Sequence, residues 1–155
     1  MFMTRRFVWA AAALLLFSAP ADAQWRAGIR AGVSADPDQF FFGGHVESRP
    51  LVERLTFRPN AEIGVGDDVT TVDLNVEFAY WLTTDEPWSV YFGAGPAVNI
   101  YSLDDDRPGR GDDDDVGDGF NILVGAQHRQ GLFTELKVGM IDSPNLKFTV
   151  GYVFR

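Results

Sequence analysis

Residues 145–155 read Asn-Leu-Lys-Phe-Thr-Val-Gly-Tyr-Val-Phe-Arg and carry the clearest structural signal in the chain. Successive side chains of an extended strand point to opposite faces of a sheet. One face of this segment is therefore wholly apolar and ends in two aromatic residues: Leu146, Phe148, Val150, Tyr152 and Phe154. The opposite face carries Lys147, Thr149, Gly151 and Val153. An apolar face opposite a more polar one, with aromatics at its end, is typical of a strand in a transmembrane β-barrel.

Seven further segments show a similar alternation: 25–33, 40–47, 55–65, 72–82, 88–101, 120–127 and 132–141. Clusters of Gly, Pro, Asp and Asn separate them, and residues 66–68 predict a tight hairpin. Pro59 and Pro96 lie within predicted strands, where each removes a ladder donor, so we expect a bulge or a local irregularity at each. Eight strands are an even number, and their length suits a tilted crossing of a bilayer. The sequence predicts an all-β fold, an eight-stranded antiparallel up-and-down transmembrane β-barrel.

Charged residues on the second face of these strands balance one another. Five are basic and five are acidic: Arg26, Arg30, Arg58, Lys137 and Lys147, with Glu47, Glu62, Asp73, Glu77 and Glu135. An unpaired charge in a narrow lumen would cost several kcal/mol, so the balance predicts a compensated network inside the barrel. The alternative is a soluble periplasmic ligand-binding barrel, in which the apolar faces would converge on a cavity and the polar faces would meet water.

The hairpin at residues 66–68 also predicts which of these charges face each other. A symmetric hairpin sets Arg58 opposite Glu77, which predicts one specific ion pair. The same register sets Glu62 opposite Asp73. We therefore expect a cation such as Arg30 to bridge the two carboxylates.

Aromatic residues fall at the two ends of the predicted strands. The rim on the side of both termini carries Trp25, Tyr80, Trp81, Trp88, Tyr152 and Phe154, and the other rim carries Phe40, Phe42, Tyr101 and Phe120. Membrane barrels carry aromatic girdles at both interfaces with water. This segregation favours the membrane interpretation.

The first 23 residues have the order of a secretory signal peptide. Arg5 and Arg6 precede an apolar stretch at residues 7–17, and Ala-Asp-Ala at residues 21–23 precedes Gln24. The apolar stretch is shorter than the roughly 20 residues that a spanning helix needs. We expect a cleaved signal peptide at residues 1–23 and a single barrel domain at residues 24–155.

Through these strands, charges and girdles, residues 24–155 resemble the small eight-stranded outer-membrane barrels related to OmpX and to the membrane domain of OmpA. Residues 145–155 resemble the closing strand of such barrels, whose C-terminal aromatic acts as an assembly signal, although Arg155 follows Phe154 here. The resemblance implies a protein of the Gram-negative outer membrane, surrounded by lipid and lipopolysaccharide and inserted by the barrel-assembly machinery. We expect a monomer. The formal charge of −9 and the pI near 4.5 argue against nucleic acid as a partner, because nucleic-acid binding needs a basic face.

A long acidic loop is predicted at residues 103–119. Its aspartates include five candidate oxygen ligands for calcium: Asp104, Asp106, Asp112, Asp114 and Asp118. Their spacing does not fit an EF-hand, because the fifth position from Asp112 is Val116 and no glutamate closes the loop. A solvated surface loop is the preferred interpretation, with weak divalent-ion bridging to lipopolysaccharide as the alternative. No cofactor is expected.

Three classes of function remain open. The preferred prediction is a non-enzymatic barrel that contributes to envelope integrity or to surface interaction through its acidic outer loops. A narrow channel would need an open lumen, which several inward aromatics would obstruct: Phe41, Trp81, Tyr91, Tyr101 and Phe133. A lipid A-modifying barrel enzyme would need histidine together with serine. The only histidines are His45 and His128, and no serine lies close in sequence to His128.

Overall fold

The structure is a computed structural model that describes residues 24–67, 69–82, 87–103, 114–141 and 144–154. These residues form eight strands: β1 (Arg26–Ala35), β2 (Gln39–Glu47), β3 (Leu55–Val65), β4 (Val69–Trp81), β5 (Trp88–Leu103), β6 (Asp114–His128), β7 (Leu132–Ile141) and β8 (Leu146–Val153). Each strand pairs antiparallel with the next, and β8 pairs with β1, so the sheet closes into a barrel. Closure removes the free strand edges that an open sheet exposes. The predicted eight-stranded antiparallel barrel is confirmed.

The N-terminal residues 1–23, predicted to be a signal peptide, lie outside the described residues. Within the described part of the chain, no helix has the length and apolarity needed to span a bilayer.

Burial alternates along the strands, and the polar face is the buried one. In β8, Lys147 and Thr149 are at most 4 % exposed, whereas the intervening Phe148 and Val150 are 48 % and 46 % exposed. Strand β4 repeats the pattern, with its acidic and amide side chains inside and its valine and leucine side chains outside. A water-soluble barrel would bury its apolar side chains instead. The arrangement therefore does not fit a soluble barrel built around an apolar cavity.

The hairpin of β5 and β6 is longer than the sequence predicted. The acidic loop was expected to span residues 103–119, but β5 continues to Leu103 and β6 begins at Asp114. Tyr101 and Ser102 pair with Asp115 and Asp114, respectively, in the extended part of the ladder. Backbone pairing to β5 keeps this segment extended, although its Asp and Gly content is typical of loops. The expected loop therefore overlaps the ends of two strands.

The β3–β4 register matches its prediction. The Gly66 amide donates to the Val69 carbonyl at 3.0 Å and closes the hairpin. The resulting register sets Arg58 opposite Glu77 and, in the same way, Glu62 opposite Asp73.

Both strand prolines interrupt a ladder without shifting its register. The last pair of the β2–β3 ladder joins His45 to Asn60, next to Pro59, and beyond it the Ser48 amide donates to the Phe57 carbonyl at 2.9 Å in the same register. In the β4–β5 ladder the pairs on either side of Pro96, at Ala94 and Ala97, keep one register. No residue is inserted at either point. The irregularity expected at each proline is therefore a missing rung and not a bulge.

Candidate functional site in the barrel interior

The ten charged residues predicted for the interior all lie on the inner face of the barrel. Nine of their side chains are at most 5 % exposed, and the tenth, Arg26, is 38 % exposed. They come from β1, β2, β3, β4, β7 and β8. Each of the five cations lies within 4.0 Å of at least one of the five carboxylates. We call this set of ten residues the lumen network.

Glu135 on β7 lies at the centre of the lumen network. Its carboxylate accepts hydrogen bonds from Arg30 Nη2 at 3.2 Å, Arg58 Nη1 at 3.3 Å and Tyr91 Oη at 2.8 Å. Lys137 Nζ lies 3.9 Å from the same carboxylate. Because the three hydrogen-bond donors belong to β1, β3 and β5, this single group links distant walls of the barrel.

Lys147 on β8 bridges two carboxylates that face each other. Its Nζ lies 2.6 Å from Glu62 Oε2 and 2.5 Å from Asp73 Oδ2. A cation therefore bridges the two carboxylates as expected, but the cation is Lys147 and not Arg30. Arg30 reaches Glu62 at 3.2 Å. Lys147 is paired with Ser34, which lies further than Arg30 from the barrel end that carries the termini. Lys147 is therefore level with Asp73.

The predicted ion pair between Arg58 and Glu77 is not formed, although the two residues face each other across β3 and β4. Arg58 Nε lies 3.4 Å from Glu47, and its Nη1 donates to Glu135. Glu77 instead lies 2.5 Å from Lys137 Nζ. Long side chains can cross a narrow lumen, so the best partner of an inward charge can lie on another wall of the barrel.

Asparagine side chains extend the lumen network through neutral groups. Asn121 Nδ2 donates to Asn75 Oδ1, and Asn75 Nδ2 donates to Asn60 Oδ1, both at 2.8 Å. Asn60 Nδ2 then donates to Glu77 Oε2 at 2.9 Å. The sequence interpretation did not include these asparagines in the site. Their inward positions on β3, β4 and β6 were the signal that could have identified them.

Aromatic rings lie between the charges. Phe41, Tyr91 and Phe133 are at most 1 % exposed. The Arg58 guanidinium lies 4.6 Å from the centroid of the Tyr91 ring, and Lys147 Nζ lies 4.7 Å from that of Phe41. Contacts of this kind attract a cation to the face of a ring. Rings and ion pairs together fill the middle of the described lumen.

Inward glycines make room for these rings. A β-carbon on Gly125 would lie 2.4 Å from atoms of the Tyr91 ring, and one on Gly151 would lie 2.4 Å from the Phe133 ring. Carbon atoms in ordinary contact are separated by about 3.5–4.0 Å, so neither position accepts a side chain without displacing the ring. The sequence interpretation assigned these glycines no role in the interior.

The two histidines occupy different environments. His45 is buried in the lumen, edge-on to Phe133 with 5.2 Å between ring centroids. His128 lies at the end of β6, where its Nδ1 accepts a hydrogen bond from the Gln130 amide at 3.1 Å and its ring contacts Trp88. Among the described residues, neither histidine is hydrogen-bonded to a serine hydroxyl.

The candidate calcium ligands lie only partly within the described residues. Asp104, Asp106 and Asp112 are outside them, and only the place of Asp114 in β6 is described. Asp118 is exposed on β6. Among the residues that the structure describes, no three His, Asp or Glu side chains are grouped as a metal site requires.

The aromatics predicted for the rim on the side of the termini lie near that end of the barrel, and most point outward: Trp25, Tyr80, Trp88, Tyr152 and Phe154. Trp81 differs. Its ring lies 4.7 Å from that of Tyr91, and its Nε1 donates to Thr56 Oγ1 at 3.0 Å. As the neighbour of the outward Tyr80, Trp81 points to the opposite face of the sheet.

No protein-family model and no curated protein matches the chain. Its fold is similar to solved eight-stranded outer-membrane barrels. Neisserial surface protein A is 18 % identical, with a TM-score of 0.59, over 85 % of this chain and 96 % of that protein. The N-terminal β-barrel domain of Pseudomonas aeruginosa OprF is 15 % identical, with a TM-score of 0.60, over 86 % of this chain and 100 % of that domain. At these identities the similarity shows the fold.

Proposed function

We propose that the protein is an integral barrel of the bacterial outer membrane, with a non-enzymatic role in envelope integrity or in interactions at the cell surface. One observation carries the proposal: the closed barrel buries charged side chains and exposes apolar ones. All eight strands contribute exposed large apolar residues, among them Ile29, Phe42, Ile63, Leu74, Phe92, Ile122, Leu136 and Phe148. Single exposed apolar residues are ordinary, but a continuous apolar ring marks a surface that meets lipid or another protein.

Lipid covers such a ring on every side. Each Å² of apolar surface removed from water stabilises the covered state by about 25 cal/mol. The exposed apolar residues are distributed over the whole circumference, whereas a protein interface would concentrate them on one face. A monomer in a bilayer therefore accounts for the pattern. In a Gram-negative cell, lipopolysaccharide and phospholipid would be its neighbours, reached after cleavage of residues 1–23 and insertion by the barrel-assembly machinery.

The interior supports a structural role rather than a channel. The lumen network and three fully buried aromatic rings occupy the middle of the lumen. Ion passage would require the ion pairs to separate inside a low-dielectric interior, which is costly for every charge left alone.

The charge outside the lumen supports a surface role. Asp36, Asp38, Asp67 and Asp118 are exposed at the end of the barrel opposite the termini. Asn145 Nδ2 donates to Asp36 Oδ2 at 2.9 Å, which links two neighbouring connections at this end. With the termini in the periplasm, these acids would face the cell exterior. Divalent cations would then mediate any contact with anionic lipopolysaccharide.

Folding of residues 24–155 in lipid vesicles and in plain buffer tests the proposal. We expect β-structure only in the presence of lipid, from a monomer whose migration on gels changes with heating. Stable, monodisperse β-structure in buffer alone would contradict it. In planar bilayers we expect no large conductance steps. Reproducible large steps would show that the protein is a channel.

A further inference from the structure

The mouth of the barrel on the side of the termini forms a cup of about 260 Å³. Its wall includes three arginines, Arg26, Arg54 and Arg129, which come from β1, the β2–β3 connection and the β6–β7 connection. Glu53 is the only carboxylate among the described residues that line it. The cup thus concentrates positive charge on a chain whose net charge is −9. Such a concentration of guanidinium groups is suited to an oxyanion.

The arginines of the cup retain donors for a ligand. Arg26 pairs with Glu47 through Nη2, and Arg54 Nη1 donates to the Leu82 carbonyl at 2.9 Å. A guanidinium group has five N–H donors, so each of these contacts leaves most of the group available. Arg129 is exposed, and its backbone amide is fixed to the Pro87 carbonyl at 2.7 Å.

Glu53 adds a requirement of the opposite kind. Its exposed carboxylate lines the same cup and would repel an anionic group bound to the arginines. A ligand that carries an ammonium group beside its anionic group would replace that repulsion with an ion pair.

We propose that the cup binds a phosphoethanolamine group. The phosphate oxygens contact the guanidinium groups of Arg26, Arg54 and Arg129, and the ammonium group donates to the Glu53 carboxylate. A phosphate presents more acceptor oxygens than a carboxylate does. A phosphate therefore suits a site with three guanidinium groups better than a carboxylate would. The same chemical group occurs free, as O-phosphoethanolamine, and as the headgroup of phosphatidylethanolamine.

Titration calorimetry on the folded barrel in a nonionic detergent tests this inference with O-phosphoethanolamine as the probe. We expect saturable binding, weaker binding of glycerol 1-phosphate, which lacks the amine, and no binding of ethanolamine. Arg54→Gln and Arg129→Gln should each weaken binding at least about tenfold, because each removes charge-assisted hydrogen bonds. Arg49→Gln is the matched control, since Arg49 is exposed on the same connection as Arg54 but does not line the cup. It should change the affinity less than twofold.

A separate variant tests Glu53, the acceptor of the ammonium group. Glu53→Gln should weaken the binding of O-phosphoethanolamine and should not weaken that of glycerol 1-phosphate. All these side chains are exposed, so the variants should keep the heat-dependent gel migration of the parent. Absence of binding, equal loss with Arg49→Gln, or equal affinity for the probes with and without the amine would each overturn the inference.

Bilayer discs identify the source of the group. If discs that contain phosphatidylethanolamine suppress binding of the soluble probe relative to phosphatidylcholine discs, the lipid headgroup fills the cup. If both discs give the same affinity, the free form is the ligand. The detergent titration does not depend on which membrane the barrel occupies, so its failure would leave the proposed location untouched.

Discussion

Lys147→Met removes the cation that separates Glu62 from Asp73 without changing the apolar length of the side chain. In the parent, Lys147 Nζ lies 2.6 Å from Glu62 and 2.5 Å from Asp73, and all three side chains are at most 5 % exposed. The variant leaves two carboxylates opposite each other on β3 and β4 inside a closed barrel.

The expected cost follows from the contacts that remain. Glu62 keeps Arg30 at 3.2 Å and Lys137 at 4.0 Å, so its charge stays compensated. Asp73 loses the one cation paired with it in the described part of the chain, and its Oδ1 already has no hydrogen-bond partner there. Leaving a buried charge uncompensated costs about 3–5 kcal/mol. We therefore expect Lys147→Met to lower the free energy of unfolding by about that amount, nearly all of it through Asp73.

Reversible urea unfolding in lipid vesicles, followed by tryptophan fluorescence and gel migration, measures the effect. The double variant Lys147→Met/Asp73→Asn should recover most of the loss, because it removes the charge that was left alone. Arg49→Met, a change of the same type on the exposed rim, should stay within about 0.5 kcal/mol of the parent. A loss below about 1 kcal/mol for Lys147→Met, or a double variant no more stable than the single one, would refute the reasoning.

Three further variants test separate parts of the account by the same unfolding assay. Gly125→Val should destabilise the barrel by about 1–3 kcal/mol, because the valine side chain would occupy the space of the Tyr91 ring. Gly44→Ala should be nearly neutral, because a β-carbon there meets only a backbone oxygen at 3.5 Å. Tyr91→Phe should cost about 1.5–3 kcal/mol, since it removes the 2.8 Å hydrogen bond to the Glu135 carboxylate; an unchanged stability would contradict the central role of that carboxylate. Val150→Arg on the outer face of β8 should cost about 2–4 kcal/mol in a bilayer, and a barrel that tolerates it within about 0.5 kcal/mol does not face lipid there.

The sequence predicted the barrel because period-2 alternation determines the side of a sheet on which each residue lies. Strands β3 and β7 begin and end where predicted, and β8 lies within the predicted segment 145–155. The same alternation placed the ten charges of the lumen network on one face, and the structure buries that face. A balanced set of charges was sufficient to indicate which face points inward.

Partners inside the lumen could not be predicted in the same way. Register identifies the residue that lies opposite on the neighbouring strand, and it gave Arg58 opposite Glu77. Ion pairs inside a narrow barrel also form across the lumen, where the stagger of the strands decides which side chains are level. This is why Lys137 pairs with Glu77 and Lys147 replaces Arg30 as the bridge to Asp73. The β5–β6 extension was missed for a related reason, since pairing to β5 outweighs the loop-like composition of residues 114–119.

Surface proteolysis combined with cell fractionation tests the central claim, that lipid of the outer membrane covers the apolar face. A protease site inserted between Gly109 and Arg110, in the segment that joins β5 to β6, is compared with the same site inserted between Leu51 and Val52 on the side of the termini. We expect both variants in the outer-membrane fraction. In intact cells, added protease should cut the variant with the first site and leave the variant with the second site whole. A protein recovered in the soluble periplasmic fraction, or cut at the second site and not the first in intact cells, would contradict it.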